Sequence, residues 1–196
     1  MTNKKHKVLI TGSGRGLGKA LSEKFRFEGH EVMAHTGRQD ADLTNMKEIL
    51  DLSLRAQEYG VDVLVNNAAI VCPSIRFQKY TIDQIEAMIS VNLTAPIVLS
   101  RMLMGTLEHI ININSMVGLE VKSPRTMYSA TKWGLRGFSN SLKKEVLDIS
   151  VLDVYPTNIM TYPDRQNAMK LDFVVNSIYN SFVEKDKELV LDGRKI

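Results

Sequence analysis

A single cysteine, Cys72, stands among the 196 residues. That excludes an internal disulfide and makes a reducing compartment, the cytoplasm, the expectation. No motif surrounds Cys72, so it reads as a buried inert thiol. A strong charge of either sign is also lacking: 25 Lys and Arg against 22 Asp and Glu leave +3. So weak a basic balance makes no case for nucleic acid, although it suits a small ligand bearing phosphate. The apolar stretch that follows Lys7 is far too short for a secretory signal or a membrane span, so no membrane partner is expected. The four histidines, His6, His30, His35 and His109, lack metal-ligand spacing, and no metal is expected. No internal repeat, low-complexity stretch or Pro/Gly linker interrupts the chain, so residues 1–196 are expected to form one domain.

What is present is an alternation of short β-rich runs and helical patterns. It predicts an α/β fold, a doubly wound parallel sheet of Rossmann type with helices on both faces. Strands are expected at Lys7–Thr11, Glu31–Thr36, Val61–Asn66, His109–Asn114, Ser150–Tyr155 and Glu188–Leu191, with a short edge strand near Ala41–Leu43. Helices are expected from the glycine turn through Phe27, from a Thr44 cap to Tyr59, and from a Thr81 cap over Ile82–Met104. Two more are expected over Thr126–Leu147 and Asp172–Phe182.

Thr11-Gly12-Ser13-Gly14-Arg15-Gly16-Leu17-Gly18 joins the first strand to the first helix. Glycines there let the backbone turn sharply and approach a pyrophosphate, which the free N–H groups of the helix N-terminus then attract. A P-loop is excluded twice: Ser13 stands at its first glycine, and Ala20 follows Lys19 where Ser or Thr must hold magnesium. Leu17 also breaks the G-x-G-x-x-G spacing, leaving T-G-x-x-x-G-x-G on Gly12, Gly16 and Gly18. At the end of the second strand an NAD site usually carries an acid for the ribose diol. Here Thr36-Gly37-Arg38 stands instead, with Arg15 in the turn. Two guanidiniums and a hydroxyl suit a 2′-phosphate, so the expected cofactor is NADP(H).

Tyr128 and Lys132, four apart on a predicted helix, share a face. Bringing a phenol from pKa about 10 to near 7 needs roughly 4 kcal/mol. One cation at about 4 Å supplies on the order of 4 kcal/mol at an effective dielectric near 20. Asn112-Ile113-Asn114-Ser115 ends a strand upstream of this pair. Asn66-Asn67-Ala68-Ala69, Asn92 in the middle helix and Pro156 after the Ser150–Tyr155 strand complete the pattern.

Together these motifs resemble the short-chain dehydrogenase/reductase family, most closely its carbonyl- and ketoacyl-reductase branch, in order from about Lys7 to Thr161. The resemblance implies NADP(H)-dependent hydride transfer between a carbonyl and an alcohol. It makes Tyr128 the acid/base, Lys132 the residue that lowers its pKa and binds the nicotinamide ribose, and Ser115 the holder of the substrate oxygen. Asn92 would hold a water that relays protons from Lys132. The cofactor is expected on Gly12, Ser13, Gly14, Arg15, Gly16, Leu17, Gly18, Thr36, Arg38, Asp42, Leu43, Asn66, Ala68, Pro156, Ile159 and Thr161, besides Tyr128 and Lys132. The partner is a small carbonyl or alcohol substrate, and the apolar helices Ile82–Met104 and Thr126–Leu147 imply a homodimer or homotetramer.

Two departures qualify the pattern. Thr157 replaces the glycine that usually follows Pro156, a stiffer residue beside the nicotinamide. The chain is also short between Arg38 and Val61 and after Thr161, which implies a missing helix, a lost edge strand and an open substrate site beside Tyr162–Lys170. These trims leave a second reading, an NADP(H)-binding regulatory protein with little or no turnover.

Overall fold

The structure, a computed structural model, describes residues 4–71, 75–161 and 168–194. Cys72 and most of the Tyr162–Lys170 segment lie outside them. Six parallel strands form one sheet: β1 (Lys7–Thr11), β2 (Glu31–His35), β3 (Val63–Asn66), β4 (His109–Ile113), β5 (Ser150–Pro156) and β6 (Glu188–Leu191), in the order β2-β1-β3-β4-β5-β6. The chain steps from β1 outward to β2 and then back across to β3. The crevice at the carboxyl ends of β1 and β3 is therefore the topological switch point, where ligands bind in such sheets.

Because side chains alternate across a strand, each strand feeds two cores. Val8, Ile10, Val65, Ile111 and Val154 face α1 (Gly16–Phe27) and α6 (Leu171–Glu184), meeting Leu21, Phe25, Val174 and Ile178. Leu9, Leu64, Ile110 and Val151 face the other way. They pack on α2 (Met46–Tyr59), α4 (Ala95–Leu103) and α5 (Thr126–Glu145) through Leu52, Leu99 and Leu142.

Three local expectations are corrected. Ala41–Leu43 is not a strand: the Ala41 N–H donates to Gly37 O and the Asp42 N–H to Glu48 Oε2, so local acceptors replace a ladder. β2 is thus the edge among the described residues. The cap of α2 is Asn45, whose Oδ1 accepts from the Lys47 N–H at 3.0 Å, while Thr44 closes a turn on Asp42 Oδ1. Thr81 does cap the middle helix, in a reciprocal box with Gln84, but that helix is not continuous. α3 (Ile82–Ile89) passes into a π-turn at Ser90–Thr94 before α4 resumes, and Asn92 stands inside the turn.

Candidate active site

The glycine turn leaves β1 at the switch point. Gly12 sits at φ +66, and a Cβ there would lie 2.8 Å from the Ala68 Cα. A Cβ on Gly18 would lie 2.3 Å from Gly12 O and 2.4 Å from Asn67 Nδ2. Both positions therefore admit only glycine: the first for its conformation, the second because the helix start is pressed onto the turn. The turn is fixed from both sides. The Asn67 amide donates to Thr11 O at 2.8 Å and Gly12 O at 3.0 Å, and Thr11 Oγ1 accepts from the N–H groups of Asn67 and Ala68. His35, buried at the end of β2, accepts the Gly12 N–H at Nδ1 (3.2 Å) and bonds Ala41 O through Nε2 (2.8 Å). Its carbonyl takes both the N–H and the hydroxyl of Ser13.

Among the described residues no side chain caps α1, whose first turn opens beside the turn after Arg15. A cavity of about 700 Å³ lies there, lined by Gly12, Gly14, Arg15, Gly16 and Thr36 among others. Farther out it meets Arg38, Asp42 and Leu43, and on the β3 side Asn67 and Ala68. The Arg38 guanidinium, 72% exposed, pairs with Asp42 at 3.1 Å. Burial would raise the Asp42 carboxyl, but hydrogen bonds from Thr44 and the Arg38 cation outweigh it and hold the group below its ordinary value.

A second cavity, about 510 Å³, shares Asn67, Ala69, Val71 and Thr161 with the first, so the two form one cleft across the ends of β1, β3, β4 and β5. Ser115, Tyr128, Lys132, Pro156, Thr157 and Ile159 line it. Ser115 follows β4 and lines the same cavity as Tyr128, whose phenol its hydroxyl pulls down in pKa. Lys132, one turn along α5, is 2% exposed. Its ammonium donates to Ile113 O at 2.8 Å and lies 5.7 Å from the Tyr128 ring centroid. Burial pulls the Lys132 pKa down to about 8. Burial likewise pushes the Tyr128 phenol up, against the Ser115 hydroxyl and the Arg125 guanidinium, which pull it down. Arg125, just ahead of α5, was not singled out by sequence reasoning.

Three expected site residues lie behind the cleft rather than on it. Ser13 is turned inward onto His35 O. Asn66 donates to Asn112 Oδ1 at 2.9 Å, and Asn112 donates to Ser139 Oγ at 2.8 Å, a polar brace between sheet and α5. The Asn92 amide is committed to the protein: Oδ1 accepts the Ile70 N–H at 2.7 Å, and Nδ2 donates to Ile70 O and Thr131 Oγ1. Its side-chain donors are thus engaged without water. Thr157 has an unforeseen partner as well: its Oγ1 accepts the Gly193 N–H at 2.8 Å, so it anchors the C-terminal segment.

That segment changes the expectation of an open substrate site. Gly193 and Arg194 stand on the wall of the second cavity. Arg194 is tied to Asp192 through Nε (2.7 Å) and to both Glu120 oxygens at 2.9 and 3.0 Å, so a forked contact joins the tail to the loop before α5.

Residues 41–171, well over half of the chain, match the family described as short chain dehydrogenase. The chain belongs to the short-chain dehydrogenase/reductase family. An uncharacterized oxidoreductase of Staphylococcus aureus (strain N315) is 32% identical over 169 residues, covering 74% of this chain and 73% of that protein. Among solved structures, the bulky-bulky ketone specific alcohol dehydrogenase from Comamonas testosteroni superposes with a TM-score of 0.84 at 25% identity, covering 96% of this chain and 86% of that one. A short-chain dehydrogenase from Sphingobium yanoikuyae in complex with NADPH gives 0.82 at 25% identity, with 95% and 87% covered. This short-chain dehydrogenase/reductase is therefore an oxidoreductase of a family that uses a nicotinamide cofactor.

Proposed function

We propose that the protein is an NADP(H)-dependent carbonyl reductase in which Tyr128 moves the proton. The observation that carries this reading is the convergence of Ser115, Tyr128 and Lys132 on one cavity continuous with a glycine cradle. The cradle fits a dinucleotide, since Gly12, Gly14, Gly16 and Gly18 line the cavity without side chains beside the uncapped first turn of α1. Gly12 to Gly18 and the start of α1 would hold the phosphates, Asp42 and Leu43 the adenine end, and Ile159 and Thr161 the carboxamide. Bound there, the nicotinamide supplies the hydride. Ser115 orients the carbonyl oxygen, Tyr128 Oη delivers its proton in reduction or removes it in oxidation, and Lys132 brings a cation under the phenol and a donor toward the ribose. The single cysteine supports a cytoplasmic setting, and Trp133, partly exposed on α5, with its neighbours supports a face for a second copy. NADPH consumption with a panel of ketones and aldehydes tests the reading: binding of NADPH with no turnover on any of them would favour the regulatory alternative.

The cofactor preference rests on Arg15 and Arg38. NADPH is expected to bind more tightly than NADH, and Arg38→Ala to remove most of that difference. A charged hydrogen bond is worth about 1.5–3 kcal/mol, so the ratio of dissociation constants should fall by at least about tenfold. Fluorescence titration of both cofactors measures it, and equal affinities in the unaltered protein would defeat the NADP(H) assignment.

For Arg194 the expectation is a loss of substrate binding without a loss of chemistry. Its forked contacts are exposed to solvent, which screens them, so their strength is modest. Arg194→Ala should therefore raise KM several-fold and leave kcat within about twofold. An unchanged KM in steady-state kinetics would show that the C-terminal wall does not touch the substrate.

A further inference from the structure

The cleft lies at the carboxyl ends of the strands; a second cluster lies at their amino ends. Three neighbouring strands, β1, β3 and β4, are preceded by His6, Asp62 and Glu108. Strand pairing brings these positions together: the Asp62 N–H donates to Lys7 O at 2.9 Å, and the Glu108 N–H to Asp62 O at 2.8 Å. One ligand atom from each side chain lies within 4.8 Å of the other two. No sequence spacing announces this, because the three residues come from distant segments.

His6 is the unusual member. It is 8% exposed, and its Nδ1 is buried with no hydrogen-bond partner among the described residues. A buried polar atom left unsatisfied is costly and calls for an explanation. The ring is held in place by packing, with centroids 5.4 Å from His109 and 5.6 Å from Phe182, and its backbone N–H donates to His30 Nδ1 at 3.1 Å. Nδ1 lies 3.3 Å from Asp62 Oδ1, in contact but without a hydrogen bond. Asp62 Oδ1 is itself fixed by the Lys7 N–H at 2.9 Å. Two rigid donors therefore stand at a set separation, and the third, Glu108, is 45% exposed at its side chain and engaged only by the mobile-stemmed Lys4 among the described residues.

We infer that His6, Asp62 and Glu108 form a binding site for a divalent cation of the zinc class. Bonds of about 2.0–2.1 Å in tetrahedral geometry put neighbouring ligand atoms roughly 3.3–3.4 Å apart. The 3.3 Å between His6 Nδ1 and Asp62 Oδ1 is already that edge. Glu108 completes a face by swinging inward from a separation of at most 4.8 Å, exchanging an exposed ammonium for the metal. The fourth position is left to water. One imidazole with two carboxylates favours zinc, cobalt or nickel over calcium and magnesium, which take oxygen ligands. The metal would clip the starts of three strands to one another, at the end of the sheet remote from Tyr128.

The test is titration of the full chain with Zn²⁺ by calorimetry and with Co²⁺ by visible absorption. One equivalent is expected, with the intense bands of low-coordinate cobalt and a Tm raised by Zn²⁺ but not by Mg²⁺. Glu108→Gln, at an exposed position that folding tolerates, should weaken binding at least about tenfold, as loss of even an outer-shell partner does. His6→Ala should abolish the cobalt bands, and Lys4→Ala should tighten binding by removing the competing cation. No binding to the unaltered chain would overturn the inference. So would binding of Co²⁺ or Zn²⁺ that is unchanged in Glu108→Gln, because it would report surface carboxylates elsewhere.

Discussion

Replacing Tyr128 with phenylalanine is expected to lower carbonyl reduction by about 10²–10⁴-fold, the usual worth of a positioned proton donor. The substitution removes little else. The Tyr128 ring is buried against Met88, Val117 and Met127, and phenylalanine keeps that packing. What is lost is the phenol oxygen and its interaction with the Ser115 hydroxyl. NADPH affinity should stay nearly constant, since the glycine cradle and Arg38 are untouched, so the effect belongs to kcat. Lys132→Ala should by contrast damage both, if the ammonium also reaches the ribose. Burial raises the Tyr128 phenol in the cofactor-free protein, which favours the protonated form needed to donate in reduction. Reduction should accordingly be sustained across neutral pH and decline on the alkaline side. Single-turnover kinetics with Tyr128→Phe measure the chemical step directly, and substantial residual activity would exclude the proposed proton path.

The contrast between Tyr128 and Arg194 shows what the sequence could carry. Tyr128 and Lys132 are one helical turn apart, so their shared face is written in local spacing, and Ser115 is marked by its place at the end of a strand. The strands are legible for a similar reason: a parallel strand covered on both faces is a near-continuous apolar run, as in Val63–Asn66, which is buried throughout. The π-turn at Ser90–Thr94 left no such mark, because one extra residue per turn shifts the helical phase without changing the apolar character of Ile82–Leu103. His35 and Asn67 were overlooked as supports of the glycine turn, since their partners are backbone groups brought near only by pairing of β1 with β2 and β3. Arg194 and Glu120 are 74 positions apart, and no periodicity links them. Contacts that repeat along one element can be read before folding; contacts made by the closure of the sheet cannot.

The same closure puts Lys132 under strain, and its removal is expected to stabilise the protein while ending its chemistry. Lys132 is buried, and burial lowers its pKa from the ordinary 10.5 to about 8. That difference corresponds to about 3 kcal/mol against the charged form in the folded state. Between pH 8 and pH 10.5 the unfolded chain holds a proton that the folded chain has released, so this residue makes stability rise with pH in that window. Below pH 8 the group is charged in both states and the penalty is present in full. Methionine keeps the length and apolar stem and carries no charge, so Lys132→Met should recover most of the penalty at pH 7. Part is given back, because Ile113 O loses the donor it has at 2.8 Å, a cost of about 1–2 kcal/mol. A net gain of about 1–2 kcal/mol should raise Tm by roughly 2–8 °C for a domain of this size. The advantage should shrink as pH approaches 10, where the wild-type lysine is neutral in the folded chain. Turnover should meanwhile fall by orders of magnitude, as the cation under the phenol is gone. Thermal denaturation of both proteins at pH 7 and near pH 10, with kinetics on the same samples, decides it. A Lys132→Met protein no more stable than wild type at pH 7 would mean that the Ile113 carbonyl fully offsets the burial of the ammonium.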